Sequence, residues 1–209
     1  MLLAFDTATT RVTVALHDGE GVVASLDSDE GLRHGELLAP AIQQVLRDAD
    51  AIPQDVSAIA VGVGPGPFTG LRVGLVTART MALALGIPVH GVCTLDILAA
   101  EAVDAGMDDF LVATDARRKE VYLASYVGGH RDGDPQVVRP ADLASDRIVV
   151  GRGATLYPQA FPNAAAPEHP SAVVLCDVVV RERHALLGPE PLYLRRPDVM
   201  EPRAPKRVS

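Results

Sequence analysis

The stretch Val61-Gly-Val-Gly-Pro-Gly-Pro-Phe-Thr-Gly-Leu-Arg72 is the most distinctive segment of this chain. An apolar run at residues 59–63 enters it as a buried strand. Thr69 stands where a helix running to about residue 85 needs an N-cap. The stretch therefore predicts a tight strand-to-helix turn. The residues predicted to set its backbone are Gly64, Gly66, Thr69 and Gly70.

The glycines of this turn leave a second interpretation open. Backbone N–H groups that a ligand can approach closely, followed by a helix N-terminus, attract phosphate groups. Neither the G-x-G-x-x-G spacing nor the G-x-x-x-x-G-K spacing is present. A phosphate-binding loop and a purely structural turn are both compatible with the sequence.

Hydrophobic periodicity upstream and downstream of this turn predicts one mixed sheet. The predicted elements are strands at 2–5, 12–16 and 22–26, a helix over 37–49, a strand at 59–63, a helix over 69–85, a strand at 89–92 and a helix over 95–103. Pro40 inside the first helical pattern predicts a kink or a late start. Hairpins that precede crossover helices are typical of a mixed sheet covered by helices.

The second half of the chain repeats this theme in a weaker form. Its predicted elements are strands at 110–114, 120–127 and 148–150, a loop at 128–133, an irregular stretch at 157–170, a helix over 173–187 and a frayed tail from 195. We therefore divide the chain into an N-terminal lobe, residues 1–105, and a reduced C-terminal lobe, residues 106–209.

Composition excludes several classes of protein. The 209 residues contain 19 Lys and Arg against 27 Asp and Glu, a net charge of −8. Such a surface repels a phosphate backbone, and the absence of Trp leaves few platforms for base stacking. Two cysteines are too few for a disulfide framework. The chain shows no basic, apolar leader and no run of about 20 apolar residues, which predicts a cytoplasmic protein without a membrane span.

The turn of the first predicted hairpin is rich in hydroxyl groups. Hydroxyls and backbone N–H groups can hold a nucleotide phosphate, with an aspartate near its cation. A plain polar turn is the alternative. The candidate phosphate-binding residues are Asp6, Thr7, Thr9 and Thr10.

Patterns of hydrolytic or metal chemistry are absent from the sequence. His34 and Glu36 lie two residues apart, which places them on different helix faces, and neither H-E-x-x-H nor G-x-S-x-G occurs. We therefore predict no catalytic residue and no metal ligand. The mixed charge run from Asp115 to Glu120 is either a solvated hairpin or a docking surface for an acidic partner.

Small residues four apart line one face of the predicted second long helix. Gly74, Ala78 and Ala82 form this face, and apolar residues such as Leu71 and Leu75 lie nearby. Such a face allows another helix to approach closely. Internal packing and a partner interface both fit this pattern.

Four blocks together resemble the TsaB family, also called YeaZ. They are Asp6-Thr-Ala-Thr9, the Gly/Pro stretch extended to Gly74, Asp115-Ala-Arg-Arg-Lys-Glu-Val-Tyr122 and Pro191-Leu-Tyr-Leu-Arg195. The family often has Ser where Pro67 stands here. The resemblance covers most of the chain and implies a two-lobed α/β fold of the actin, Hsp70 and sugar-kinase (ribonuclease H-like) kind, with mixed sheets.

The resemblance also implies a function and partners. The family acts in bacterial formation of N6-threonylcarbamoyladenosine at tRNA position 37 as the non-catalytic paralogue of the transferase subunit TsaD. It pairs with TsaD, helps to recruit the ATPase TsaE, meets tRNA only through the complex, and allows a homodimer when isolated. Pairing is expected on the helices near 34–48 and 69–85. The candidate interface residues are Leu37, Ala41, Leu71, Gly74, Leu75, Ala78 and Ala82.

One local comparison separates this chain from its catalytic paralogue. In the transferase family the strand after the second helix leads into a His-x-x-x-His metal pair. Thr94 and Leu98 occupy the matching positions here, and neither suits a metal that imidazole binds. We expect no cofactor beyond weak ATP or ADP binding, mainly in the complex. The alternatives are an ATP-binding phosphotransferase or ATPase of the same superfold and, third, a glycopeptidase-like hydrolase.

Overall fold

Two five-stranded sheets organise the part of the chain that this computed structural model describes, residues 1–28, 33–143 and 145–195. The first sheet contains β1 (Leu2–Asp6), β2 (Val12–His17), β3 (Val22–Ser28), β4 (Ala58–Gly62) and β5 (Val89–Val92). The second contains β6 (Phe110–Asp115), β7 (Val121–Val127), β8 (His130–Val138), β9 (Ile148–Val150) and β10 (Ala164–Ala165). The helices are α1 (His34–Asp48), α2 (Phe68–Leu85), α3 (Thr94–Asp104), α4 (Arg152–Leu156) and α5 (Ala172–Val180).

The two sheets have the same topology. Their strand orders are β3-β2-β1-β4-β5 and β8-β7-β6-β9-β10. In each sheet the first three strands form antiparallel hairpins, and the last two join in parallel. The predicted mixed sheet is confirmed, and a second copy of the same arrangement follows it along the chain.

Helices cover both faces of the first sheet. On one face, α1 and α2 bury a core that includes Leu3, Phe5 and Val14 of the strands. On the other face, α5 and part of α3 pack against small strand residues such as Ala4 and Ala60. The remaining side of α3 packs on the second sheet. Helix α3 therefore lies between the two sheets.

The chain returns to the first sheet after it has completed the second. The backbone N–H of Ala172, at the start of α5, donates to Thr13 Oγ1 of β2 at 2.8 Å. Farther along, Leu187 exchanges two backbone hydrogen bonds with Gly91 of β5. The C-terminal part is therefore not confined to the second sheet. The division at residues 105/106 stays a prediction.

Several predicted elements are wrong in detail. The stretch 128–133 was expected to be a loop, but most of it belongs to β8, whose polar sequence pairs with β7. Helix α5 ends at Val180 rather than Leu187. Thr69 lies inside α2 and does not cap it, because that helix begins at Phe68 after Pro67. Helix α1 begins at His34, so Pro40 does not delay its start.

The small-residue face of α2 lies inside this chain. Six of the seven candidate interface residues are buried, and Leu37 is half-buried against the same core. The buried six are Ala41, Leu71, Gly74, Leu75, Ala78 and Ala82. The interface prediction is therefore wrong for these six residues, since α2 uses its small face to approach the first sheet.

We expect Ala78→Leu to destabilise the monomer, because the Ala78 side chain is fully buried. Overpacking a core typically costs about 1–3 kcal/mol, which lowers the melting temperature of a chain of this size by about 2–12 °C. Thermal unfolding checks this. The matched control is Ala84→Leu on the exposed face of the same helix, which should change little. Equal melting temperatures for the two variants would contradict the packing described here.

Helix α2 is also the one described helix with the length and composition of a membrane span. Its 18 residues have a mean hydropathy of 1.2, and a third of them are buried. A helix that packs one face on a soluble core can reach the same values. Its outer face leaves Val76 and Leu83 exposed beside Arg72 and Arg79.

Candidate functional site

The turn between β1 and β2 is locked to α2 by the hydroxyl of Thr7. Thr7 Oγ1 donates to the carbonyl of Gly70 at 2.7 Å and accepts from the N–H of Gly74 at 3.1 Å. These two backbone groups are four residues apart, the spacing of an α-helical hydrogen bond. The Thr7 hydroxyl thus lies between a carbonyl and an N–H group of the α2 backbone. Its hydrogen-bond donor and its acceptor are both used inside the fold.

Asp6 is likewise engaged within the fold. Its Oδ2 accepts the Thr94 hydroxyl at 2.7 Å, and its Oδ1 accepts the N–H of Ala8 at 2.6 Å. Burial raises the pKa of the carboxyl above its ordinary value, while these two hydrogen bonds act to lower it. Asp6 and Thr7 do not line an open surface, so their prediction as phosphate ligands is wrong.

Glycines at a spacing of four make room for this turn. A Cβ added at any of them would overlap an atom of the β1–β2 turn, and at two positions the atom is a backbone oxygen. The pairs are Gly62 with Asp6, Gly66 with Ala8, Gly70 with Thr7 and Gly74 with Thr7. Close packing of the turn therefore explains the glycine-rich motif, which favours the structural interpretation of the sequence.

A cleft of about 330 Å³ separates the β1–β2 turn from the second sheet. Its walls are formed by Ala8, Thr9, Thr10, Pro67, Thr114, Asp115, Arg117, Arg152, Leu156 and His169. Thr9 and Thr10 are thus the two predicted phosphate-turn residues that face an open space, and their role stays a prediction. Among the described residues, the buried Thr114 Oγ1 has no hydrogen-bond partner.

Carboxylates balance the two arginines that line this cleft. Arg117 pairs with Asp115 at 3.3 Å, and Arg152 pairs with Glu168. The hydrogen bond from Arg152 lowers the pKa of the Glu168 carboxyl. The cleft therefore offers hydroxyl groups to a small polar ligand, but little net positive charge to a polyphosphate.

Thr94 and Leu98, which the resemblance places at the positions of the transferase metal pair, are both buried. Thr94 Oγ1 accepts the N–H of Gly64 at 3.2 Å and donates to Asp6, so it ties three elements together. Leu98 is fully buried in the core between α3 and the second sheet. Across the described ranges there is no group of three or more His, Cys, Asp or Glu residues that could hold a metal ion.

The outer face of α2 is exposed and carries both apolar and basic side chains, since Val76 and Leu83 share it with Arg72 and Arg79. Val76 is 61% exposed and Leu83, seven residues later, is 87% exposed. At the N-terminal end of the same face, Arg72 lies over the rings of Phe68 and Tyr193 at 5.3 and 5.8 Å and donates to the Tyr193 hydroxyl. Exposed leucine and arginine–aromatic clusters are typical of protein-binding surfaces. The small-residue spacing in the sequence predicts the partner interface on the opposite face of α2.

Similar proteins show to which family this chain belongs. Residues 17–154 match the family TsaD, tRNA N6-adenosine threonylcarbamoyltransferase. The Escherichia coli tRNA threonylcarbamoyladenosine biosynthesis protein TsaB is 34% identical over 170 residues, which cover 75% of this chain and 73% of that protein. The chain belongs to the TsaB family.

Two further comparisons support membership of the TsaB family. An uncharacterised protein of Mycobacterium tuberculosis is 40% identical over 206 residues, covering 94% of this chain and 92% of that protein. The structure of YeaZ from Pseudomonas aeruginosa is 30% identical, has a TM-score of 0.74, and covers 92% of this chain and 99% of that chain. Together with the repeated strand order, this match confirms the predicted α/β fold with mixed sheets.

The candidate residues predicted from the sequence do not include most of those that form the cleft and the outer face of α2. Thr114, Arg152 and His169 come from three separate elements, and no motif connects them along the chain. Val76 and Leu83 were detectable in principle, since a spacing of seven places them on one helix face opposite the small residues.

Proposed function

We propose that this chain is the non-catalytic partner subunit for formation of N6-threonylcarbamoyladenosine at tRNA position 37. TsaB-named relatives from several bacteria are tRNA threonylcarbamoyladenosine biosynthesis proteins. The observation that carries the non-catalytic role is the pair Thr94 and Leu98. The Thr94 hydroxyl is hydrogen-bonded to Asp6 and Gly64, and the Leu98 side chain lies in the core. Neither residue can therefore replace an imidazole ligand.

Pairing with the transferase subunit TsaD requires a surface that the folded chain leaves uncovered. The outer face of α2 supplies one in Val76 and Leu83, with Arg72 at its N-terminal end. A leucine that is 87% exposed on a regular helix gains stability when a partner buries it. We place the TsaD contact on this outer face, and α1, which packs beside α2, adjoins it.

The remaining assignments follow from the same proposal. The pair of this chain with TsaD recruits the ATPase TsaE, tRNA binds to the complex, and the complex acts in the cytoplasm. A homodimer through the same α2 face forms when TsaD is absent, because the two partners share the surface on which Val76 and Leu83 are exposed.

Co-purification of tagged TsaD with this chain tests the pairing. We expect a stable complex of the two subunits at micromolar concentration. A mixture that separates into free subunits on size-exclusion chromatography at that concentration would contradict the proposal.

The isolated chain should bind ATP weakly. Asp6 and Thr7 are engaged within the fold, and the cleft arginines are paired with carboxylates. We expect calorimetric titration to show no saturation below about 1 mM, which corresponds to about −4 kcal/mol. A low-micromolar dissociation constant that is lost in Thr10→Ala, on the cleft wall, would support the phosphotransferase alternative instead.

A further inference from the structure

The turn between β6 and β7 holds three consecutive cationic residues in an uncommon backbone conformation. Arg117, Arg118 and Lys119 have φ values of 62°, 54° and 62°, in the left-handed region that favours glycine. Two backbone hydrogen bonds, Ala116 N–H to the Glu120 carbonyl and Glu120 N–H to the Arg117 carbonyl, close the turn at 3.0 Å each. The turn therefore presents three exposed cations from a fixed backbone.

Two more cations lie beside this turn and share its carboxylate Glu120. Glu120, at its end, pairs with Arg139 at 3.7 Å and with Arg195, which adds two guanidinium groups to the three side chains of the turn. Asp115 pairs with Arg117, and Asp142 lines a shallow pocket with Glu120 and Arg139. Five cationic residues thus lie at or beside this turn, in a chain whose net charge is −8.

The sequence beyond this point adds positive charge. Arg195, the last described residue, donates to the Ala116 carbonyl at 3.1 Å, so the chain leaves the described structure at the basic turn. Residues 196–209 contain four Arg and Lys against two Asp and Glu. The turn and the two arginines that pair with Glu120 therefore place positive charge at one end of the second sheet.

We propose that this basic turn contacts the phosphate backbone of the tRNA substrate. The inference rests on the proposed function and extends it to a specific surface. Clustered Lys and Arg neutralise phosphates and release their counterions, which makes binding depend on salt. The turn itself contains no aromatic side chain that could stack on bases. Its contact positions the RNA and does not read its sequence.

The test measures tRNA binding by the complex of this chain with TsaD between 50 and 200 mM KCl. The probe is a fluorescently labelled tRNA transcript. Arg118→Gln with Lys119→Gln removes two charges, and Arg118→Gly with Lys119→Gly removes them with residues that suit the backbone. The matched control is Arg47→Gln with Arg181→Gln, the same charge change at exposed positions outside the turn.

Loss of two phosphate contacts should lower the slope of log affinity against log salt by about two. Between 50 and 200 mM, the wild-type complex should then lose about tenfold more affinity than either turn variant. The control should keep the wild-type slope. Both turn variants should have the same slope, because the effect comes from charge and not from backbone conformation.

Unchanged slopes in both turn variants, with a wild-type complex that binds tRNA, would overturn this inference and leave the proposed function intact. Wild-type slopes combined with weaker TsaD binding would overturn it in favour of an acidic protein partner. A wild-type complex that does not bind tRNA at any salt concentration would refute the proposed function and the inference with it.

Discussion

The double substitution Val76→Asp with Leu83→Asp should abolish pairing with the transferase subunit and leave the chain folded. Both side chains are largely exposed on the isolated chain, so the charges remain hydrated there. In the complex they would be buried without partners. Burying an unpaired polar group costs about 1–3 kcal/mol, so two should weaken pairing at least about thirtyfold. Calorimetric titration of TsaD with each variant measures this loss.

Helix α5 provides the matched control for this experiment. Val173 and Val180 are also seven residues apart, and they are 40% and 49% exposed. Val173→Asp with Val180→Asp therefore introduces the same charges at the same spacing on another surface. The control should keep wild-type affinity for TsaD. Equal losses in the two double variants, or wild-type affinity in both, would remove α2 as the pairing surface.

The second large effect is expected for Gly70→Ala, which places a methyl group against the Thr7 backbone carbonyl. Backbone cannot move aside as a flexible side chain can, and the Thr7 hydroxyl bond to Gly70 would also be strained. Overpacking and the weakened hydrogen bond together should cost about 2–4 kcal/mol. The melting temperature should fall by about 4–16 °C in thermal unfolding.

Gly35→Ala on α1 is the control for Gly70→Ala, because the added methyl group has room there. An added Cβ there meets only a methyl group of Val73 at 4.0 Å, an ordinary contact distance. Alanine is the better helix former by up to about 1 kcal/mol, so this variant should be as stable as the wild type or more so. If both glycine variants unfolded at the same temperature, the close approach of the β1–β2 turn to α2 would not be the reason for the glycine.

The first half of the fold was predictable because its elements have strong periodicity. The alternation in β2 and the spacing in α1 each match one secondary structure. Strand β8 was missed because its sequence, His-Arg-Asp-Gly-Asp-Pro-Gln-Val-Val, has turn residues and few apolar ones. Its pairing with β7, which lies next to it along the chain, determines its structure. Tertiary contacts, and not local preference, form this strand.

The candidate site was harder to predict, for a physical reason that α2 shows well. Small residues at a spacing of four permit close approach, but the pattern is the same whether the approaching atoms belong to another chain or to Thr7 of this one. Sequence likewise cannot indicate that Arg117, Arg118 and Lys119 are left-handed, since these residue types rarely are. Thr94 and Leu98, by contrast, could be singled out from the sequence, because the family resemblance places them where the transferase has its metal pair.

The most direct test of a non-catalytic partner role is a tRNA modification assay with purified TsaD and TsaE, ATP and an added threonylcarbamoyl donor, with and without this chain. We predict that threonylcarbamoyladenosine forms only when this chain is present together with TsaD, and that the Val76→Asp, Leu83→Asp variant does not restore the reaction. Full modification by TsaD and TsaE without this chain, or modification by this chain without TsaD, would contradict the account.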